Sequence, residues 1–251
     1  MATEETTENT LPSCRCCGGD LGLEHELLPA GTFHTCRRCG SLQQLRTSIP
    51  DDRYNDEYLP DVDLEQHWIW SRRYLEWATE ELAPGRALEI APGHCCLLKL
   101  LADAGWKVHG VDLCPRSVEW AEKWGLPPGT VELTDFFQWQ PPIRWGVPLA
   151  ERDEAPVTQE YDLVVATHFL EHFSDPRDVI ADLAQHVAPG GRLFVHTPNP
   201  FMFTGAGWVH VHDVHLTMPS PPALMGMLPV GFARLEAGQF SDDQWMLMER
   251  Q

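Results

Sequence analysis

Basic residues are scarce in this chain. Eighteen Lys and Arg face 37 Asp and Glu, giving a formal net charge of −19. Phosphate backbones are bound by clustered cations, so this balance argues against a nucleic-acid partner. No apolar run is long enough to cross a membrane. The opening MATEETTENT is polar and acidic, so a flexible tail over residues 1–10 is expected there, not a secretory signal. Internal repeats and low-complexity blocks are absent as well. The length of 251 residues suits one ordinary domain and a small appendage.

Cysteine is present in an informative pattern. Cys14-Arg-Cys-Cys17 and Cys36-Arg-Arg-Cys39 are two C-x-x-C pairs, each followed by a glycine, Gly18 or Gly40. Two residues between thiolates let a tight turn aim both sulfurs at one ion, and two such turns complete a tetrahedron. Residues 11–45 therefore read as a zinc ribbon with Cys14, Cys17, Cys36 and Cys39 as ligands. Four ligands leave no open position, so the metal is structural; iron suits the same thiolates. Cys16 is a substitute ligand by position, and His34 packs or faces solvent. Free thiols and a metal fit a reducing cytoplasm better than a disulfide scaffold.

The stretch Ala87 to Asp112 organises the rest. Ala87–Ile90 is a short apolar strand, Pro92-Gly93 breaks it, Cys95–Ala104 has helical spacing, and Lys107–Val111 is the next strand. Asp112 ends that strand. In such a βαβ unit the turn lets backbone N–H groups approach a ligand, and the terminal acid accepts both hydroxyls of a ribose. A connector spans 46–62, and the main domain covers 63–251. Leu64–Leu82 is a predicted helix with Trp68, Tyr74, Leu75, Ala78 and Leu82 on a shared face. Trp68, Trp70 and Trp77 read as packing residues. Further helices are expected at Pro115–Trp124, from Asp175-Pro176 to His186, and at Pro221–Leu228. Further strands are expected at Thr130–Thr134, Tyr161–Thr167 and Arg192–Thr197. A final pair, Gly231–Ala237 and Trp245–Glu249, follows. The Pro-rich stretch 138–160 has no period and reads as a lid, a binding loop or disorder.

The motifs resemble the class I S-adenosylmethionine-dependent methyltransferases, in particular those with an N-terminal zinc ribbon. CRCCGG and CRRCG resemble the ribbon, RYNDEYLP the tyrosine-containing segment after it, and ALEIAPGHCC the first nucleotide motif. The most specific likeness is HFLEHFSDPRDVIADLAQHVAPGGRLFVHTPNP. The resemblance implies a doubly wound α/β sheet of seven strands, Rossmann-like, with the last strand antiparallel to the rest. It implies S-adenosylmethionine as cofactor and a sugar derivative or other small molecule as acceptor. Carried over by position, Glu89, Ala91 and Gly93 line the methionine part of the cofactor. Asp112 holds the ribose, Leu113 borders the adenine, Asp135 with Phe136 reads its edge, and His168 lies near the amino acid moiety. The usual turn is E-x-G-x-G-x-G; here Ala91 and Cys95 replace two glycines. Alanine is a mild change if its φ is negative, while Cys95 narrows the approach of helix to strand.

Methyl transfer to oxygen or carbon needs alignment of nucleophile and methyl, and a hydroxyl or enol nucleophile also needs a base. His172, His215 and His212 are the histidines expected to supply it. Glu171 is expected to anchor its turn by accepting backbone N–H bonds, and Cys95, Cys96 and Cys114 to pack. Phe201, Phe203 and Trp208 are expected to wall an acceptor pocket over 199–219. Two other classes compete: a zinc-ribbon interaction protein whose sheet no longer catalyses, and an RNA base methyltransferase, which the acidity opposes. A nicotinamide dehydrogenase lacks the LEH…PGG…TPN pattern.

Overall fold

A computed structural model describes residues 11–27, 31–49, 64–139, 160–202 and 214–251. The tail 1–10, most of the connector with its tyrosines, nearly all of the 138–160 stretch, Phe203, Trp208 and His212 lie outside the described residues.

The first unit is a three-stranded antiparallel arrangement. β1 (Leu21–Leu27) pairs with β2 (Gly31–Cys36), and β2 with β3 (Leu42–Gln43). A fourth strand comes from far along the chain: β9 (Thr217–Met218) pairs with β3 through Leu42↔Met218 and Gln43↔Thr217. The ribbon sheet is therefore completed by the main domain.

The main domain alternates strand and helix. α1 (Glu65–Thr79) precedes β4 (Arg86–Ile90), α2 (Cys96–Asp103), β5 (Lys107–Asp112), α3 (Pro115–Lys123) and β6 (Val131–Leu133). Next come β7 (Tyr161–Thr167), α4 (Pro176–Gln185), β8 (Val187–Pro198), α5 (Pro221–Met225), β10 (Phe232–Phe240) and β11 (Asp243–Arg250). The seven main strands lie in the order β10-β11-β8-β7-β4-β5-β6. β11 is antiparallel to both neighbours, and the strands from β8 to β6 run parallel.

Local sequence explains the boundaries. α1 stops at Thr79, short of the predicted Leu82, and Glu81 just beyond it takes a positive φ of 59° that is not helical. Asp175 caps α4 by accepting from Arg177 N–H (3.1 Å), with Pro176 at the first helical position. Ser220 caps α5 in the same way. β8 begins earlier than predicted: Val187 already pairs with Tyr161, and the ladder resumes only at Leu163↔Arg192, so Pro189-Gly190-Gly191 forms an irregularity within the strand.

Alternation along the strands builds two apolar layers. Ala87, Leu163, Val165 and Phe194 pack with Tyr74 and Ala78 of α1 and Leu97 and Leu101 of α2. Leu88, Ile90, Val164, Ala166 and Val195 face the other way, onto Val179, Ile180 and Leu183 of α4. That second layer continues into Cys16, Leu21 and Cys36, so ribbon and sheet share one core. Trp68 meets Trp124 edge-on and Trp77 stacks on Trp245 at 4.9 Å, both as packing residues.

Candidate functional site

The four ribbon sulfurs converge. Cys17 Sγ lies 3.5 Å from Cys36 Sγ and Cys14 Sγ 3.8 Å from Cys39 Sγ, and all four lie within 4.8 Å of one another. Sulfurs at the corners of a tetrahedron with metal–sulfur bonds of about 2.3 Å stand about 3.8 Å apart. Each knuckle is closed by one bond, Gly18 N–H to Cys14 C=O (2.7 Å) and Gly40 N–H to Cys36 C=O (2.9 Å). Both glycines have a positive φ, of 71° and 78°. The amides of Arg38 and Cys39 donate to Cys36 Sγ. Burial raises the Cys36 thiol, but these amides win and bring it down to about 7. Cys16 stands outside the four-sulfur cluster; its carbonyl accepts from the Arg177 guanidinium. His34 is buried.

The second site gathers at the C-terminal ends of β4, β5, β7 and β8. Glu89 is 3% exposed. One carboxylate oxygen receives the Leu98 N–H in the first turn of α2, and among the described residues Oε2 makes no hydrogen bond. Burial, then the charge of Asp112, pushes Glu89 up to about 8. Asp112 Oδ2 accepts from Gly93 N–H (3.0 Å) and Oδ1 from Cys114 N–H (2.8 Å). Burial raises its pKa while those amides oppose the rise.

The turn between β4 and α2 corrects one expectation. Ala91 has φ +52°, not a negative value, and Cys95 has φ +56°. Both replaced glycines thus sit in left-handed conformations, at a cost of about 1–2 kcal/mol each. Cys95 recovers part of this by burying its side chain and donating to Ser117 C=O (3.2 Å). Cys96 and Cys114 are also buried packing residues. Leu113 is exposed beside this turn, whereas the Phe136 ring is buried against Phe169 and His186. Asp135 Oδ1 accepts from Phe137 N–H (2.9 Å).

Past β7 the backbone turns through His168, at φ +50°, into a single 3-10 turn, Leu170–His172. Here a second expectation fails. Glu171 does not bind backbone amides; the fully buried carboxylate accepts from the Thr197 hydroxyl (2.9 Å) and sits 3.4 Å from His168 Nδ1. Burial alone would raise its pKa, but His168 with the charges of His172 and His215 holds it well below the usual carboxylate range. Burial lowers His168, yet Glu171 and Asp243 lift it to about 9. Glu171, His172 and His215 bring their ligand atoms within 4.8 Å, with the two imidazoles edge-to-face at 5.4 Å. His172 Nδ1 is 3.2 Å from the Val214 carbonyl. His172 is lowered by burial, with Glu171 opposing.

Sequence reasoning gave no site role to five residues that the fold adds. His67, Trp70 and Tyr74 share one side of α1 at helical spacing, and Trp70 stacks near His168 (6.3 Å). His196 and Asp243, read as strand and turn residues, meet His168 from β8 and β11.

The family profile described as "Methyltransferase domain" matches residues 64–228, more than half of the chain. The chain belongs to this methyltransferase family. Curated relatives include the ubiquinone biosynthesis O-methyltransferase of Bordetella avium (strain 197N), 33% identical over 145 residues, covering 55% of each protein. That of Aeromonas salmonicida (strain A449) is 33% identical over 128 residues, covering 50% of this chain and 49% of the relative. The chain spans about half the length of the curated relatives it matches. Among solved structures, the N-methyltransferase NodS of Bradyrhizobium japonicum WM9 with S-adenosyl-L-homocysteine has a TM-score of 0.54 at 18% identity, over 77% of this chain and 91% of that one. Magnesium protoporphyrin IX methyltransferase (ChlM) of Synechocystis PCC 6803 with bound SAM has a TM-score of 0.56 at 16% identity, over 82% and 100%. At these identities the likeness is one of fold. This methyltransferase-family domain thus has the class I architecture that its motifs imply, a seven-stranded Rossmann-like sheet with β11 antiparallel.

Proposed function

We propose that this chain transfers the methyl group of S-adenosylmethionine to an oxygen or carbon of a small molecule. One observation carries the reading: Glu89 and Asp112, both buried, meet at the Gly93 turn where the strand order reverses between β4 and β7, and Glu89 Oε2 has no hydrogen-bond partner among the described residues. A buried carboxylate oxygen without a partner suits a cationic ligand. The cofactor supplies an electrophilic sulfonium methyl when bound. Glu89, Ala91 and Gly93 would hold its methionine part, Asp112 the ribose, Leu113, Asp135 and Phe136 the adenine, and His168 the amino acid end. Where Phe136 contributes, it does so through its backbone, since its ring is buried in the core. His172, His215 or His212 would take the acceptor proton; of these His172 and His215 lie in contact beside Glu171, and His212 is outside the described residues. Oxygen is favoured by the O-methyltransferase relatives.

The four sulfurs fit a structural zinc ion, and the reduced thiols fit a cytoplasmic setting. Among the described residues, no helix is long and apolar enough to cross a membrane. The net charge of −19 argues for a small-molecule acceptor over RNA. The strained turn at Ala91 and Cys95 favours a second reading, a non-catalytic interaction protein.

Calorimetry separates the two. S-adenosylmethionine should bind the wild type, and Asp112→Ala should weaken it by about 2–4 kcal/mol, the scale of hydrogen bonds to a charged group. No binding to the wild type would favour the second reading; equal binding by the variant would refute the role of Asp112. For the histidines, His172→Ala and His215→Ala should keep cofactor affinity, while at least one loses about 10²- to 10⁴-fold in single-turnover rate once an acceptor is found. Wild-type rates in both would leave His212, or positioning alone, to carry the reaction.

A further inference from the structure

Three side chains from three strands converge beside the methyl-transfer crevice. His168 follows β7, His196 lies in β8 and Asp243 opens β11. His168 Nε2 stands 3.6 Å and His196 Nε2 3.8 Å from Asp243 Oδ2, and the three ligand atoms lie within 4.8 Å of one another. These separations exceed a hydrogen bond. Both Nε2 atoms are buried and make none among the described residues. His196 is fully buried and Asp243 nearly so. Ligand atoms around one zinc ion, with bonds of about 2.0–2.1 Å, stand about 3.3–3.5 Å apart. Small side-chain movements would therefore close this triad on an ion.

We propose that His168, His196 and Asp243 form a second metal site that takes a divalent cation of the zinc type. The groups behind the ligands support it. His168 Nδ1 faces Glu171 Oε1 at 3.4 Å, and His196 Nδ1 faces the Tyr74 hydroxyl at 3.4 Å. Metal-bound imidazoles characteristically donate their rear N–H to a carboxylate or other oxygen, which turns the other nitrogen to the ion. Glu171 is itself held by Thr197. The left-handed backbone at His168 is the kind of local strain that persists when surroundings fix a functional side chain. Two imidazoles and one carboxylate are a donor set that leaves a fourth position open. The His168 side chain is 38% exposed against 8% for Asp243, so the open position faces the crevice by His168 and Trp70. A water or an acceptor oxygen would fill it.

The inference shares His168 with the methyl-transfer reading, but its test needs no turnover and no cofactor. The full chain is stripped of metal under reducing conditions, reloaded with Zn²⁺ or Co²⁺, desalted and analysed for metal. His196→Ala and Asp243→Ala should each hold one ion per chain fewer than the wild type. The cobalt–thiolate absorption of the ribbon should stay unchanged in both. Tyr74→Phe keeps all three ligands and removes the oxygen behind His196; it should bind the second ion about 10- to 100-fold more weakly. If His196→Ala fails to fold, judged by circular dichroism and by its ribbon absorption, Asp243→Ala decides. Equal metal content in wild type and folded variants would overturn the proposal and leave the triad as an ion pair of His168 with its two carboxylates.

Discussion

Glu89 ties stability to ligand binding through one proton. Burial and Asp112 raise its pKa to about 8, above the ordinary carboxylate value. The folded chain therefore holds this proton more tightly than the unfolded chain does. The stabilisation linked to the protonated form is complete below the unfolded value and is lost as pH rises through about 8. Glu89→Gln should make the cofactor-free protein more stable than wild type at pH 8–9, by a few kcal/mol on the order expected from such a shift, as read by chemical denaturation. A cationic cofactor prefers the carboxylate, so wild-type affinity should rise with pH toward 8, and Glu89→Gln should flatten that rise in calorimetry. Ala91 offers a second test. Its φ of +52° costs a Cβ residue about 1–2 kcal/mol, while glycine adds about 0.4–1 kcal/mol of unfolded-state entropy. Ala91→Gly should stabilise the chain by about 0.5–1 kcal/mol; a loss of stability on denaturation would mean that the methyl group packs usefully.

At the scale of elements, the ribbon and the turn bearing Glu171 are joined by short bonds. β9 pairs with β3, Gln44 N–H donates to Leu216 C=O (2.8 Å), and the Gln44 side-chain amide donates to His215 C=O (2.9 Å). Leu216 N–H in turn donates to Glu171 C=O (2.6 Å). Ser220 links the other side, donating to Cys39 C=O and giving its N–H to the Ser41 hydroxyl (2.9 Å). Among the described residues β9 pairs with β3 alone, so its order depends on β3. Metal binding by a Cys₄ site is coupled to folding of the elements that carry it. Chelation should therefore raise hydrogen exchange first in residues 11–45 and then at Thr217 and Met218, with β4, β7 and β8 still protected. Simultaneous loss of protection in the central strands would show that the ribbon is part of one cooperative unit; unchanged exchange throughout would show that the cysteines hold no metal.

For the whole molecule, the sheet order decides where chemistry collects. Parallel strands β4, β5, β7 and β8 end on one edge, and antiparallel β11 begins there, so Asp243 arrives beside residues that follow β7 and β8. α1 covers that edge with Trp70 and Tyr74, while its inner face seals one apolar layer. The other layer is shared with the ribbon. The acidic surface that leaves the chain at −19 suits a small acceptor entering this edge more than a polyanion lying across it.

Local patterns by themselves determined much of this protein. The C-x-x-C pairs placed the four sulfurs, since two-residue spacing and a following glycine fix each turn. Apolar runs and Pro-Gly breaks placed β4, α2 and β5, with Asp112 at the end of β5, because strand and helix periods are short-range properties. Only the tertiary structure decided the rest. The φ of Ala91 depends on how α2 meets β4, and no neighbouring residue reveals it. The partner of Glu171 is Thr197, 26 positions away. His168, His196 and Asp243 meet through a sheet order in which the last strand inserts beside β8, and β9 joins the ribbon from the far end of the chain. These contacts link residues with no periodic relation in the sequence, so packing and strand pairing alone bring them together.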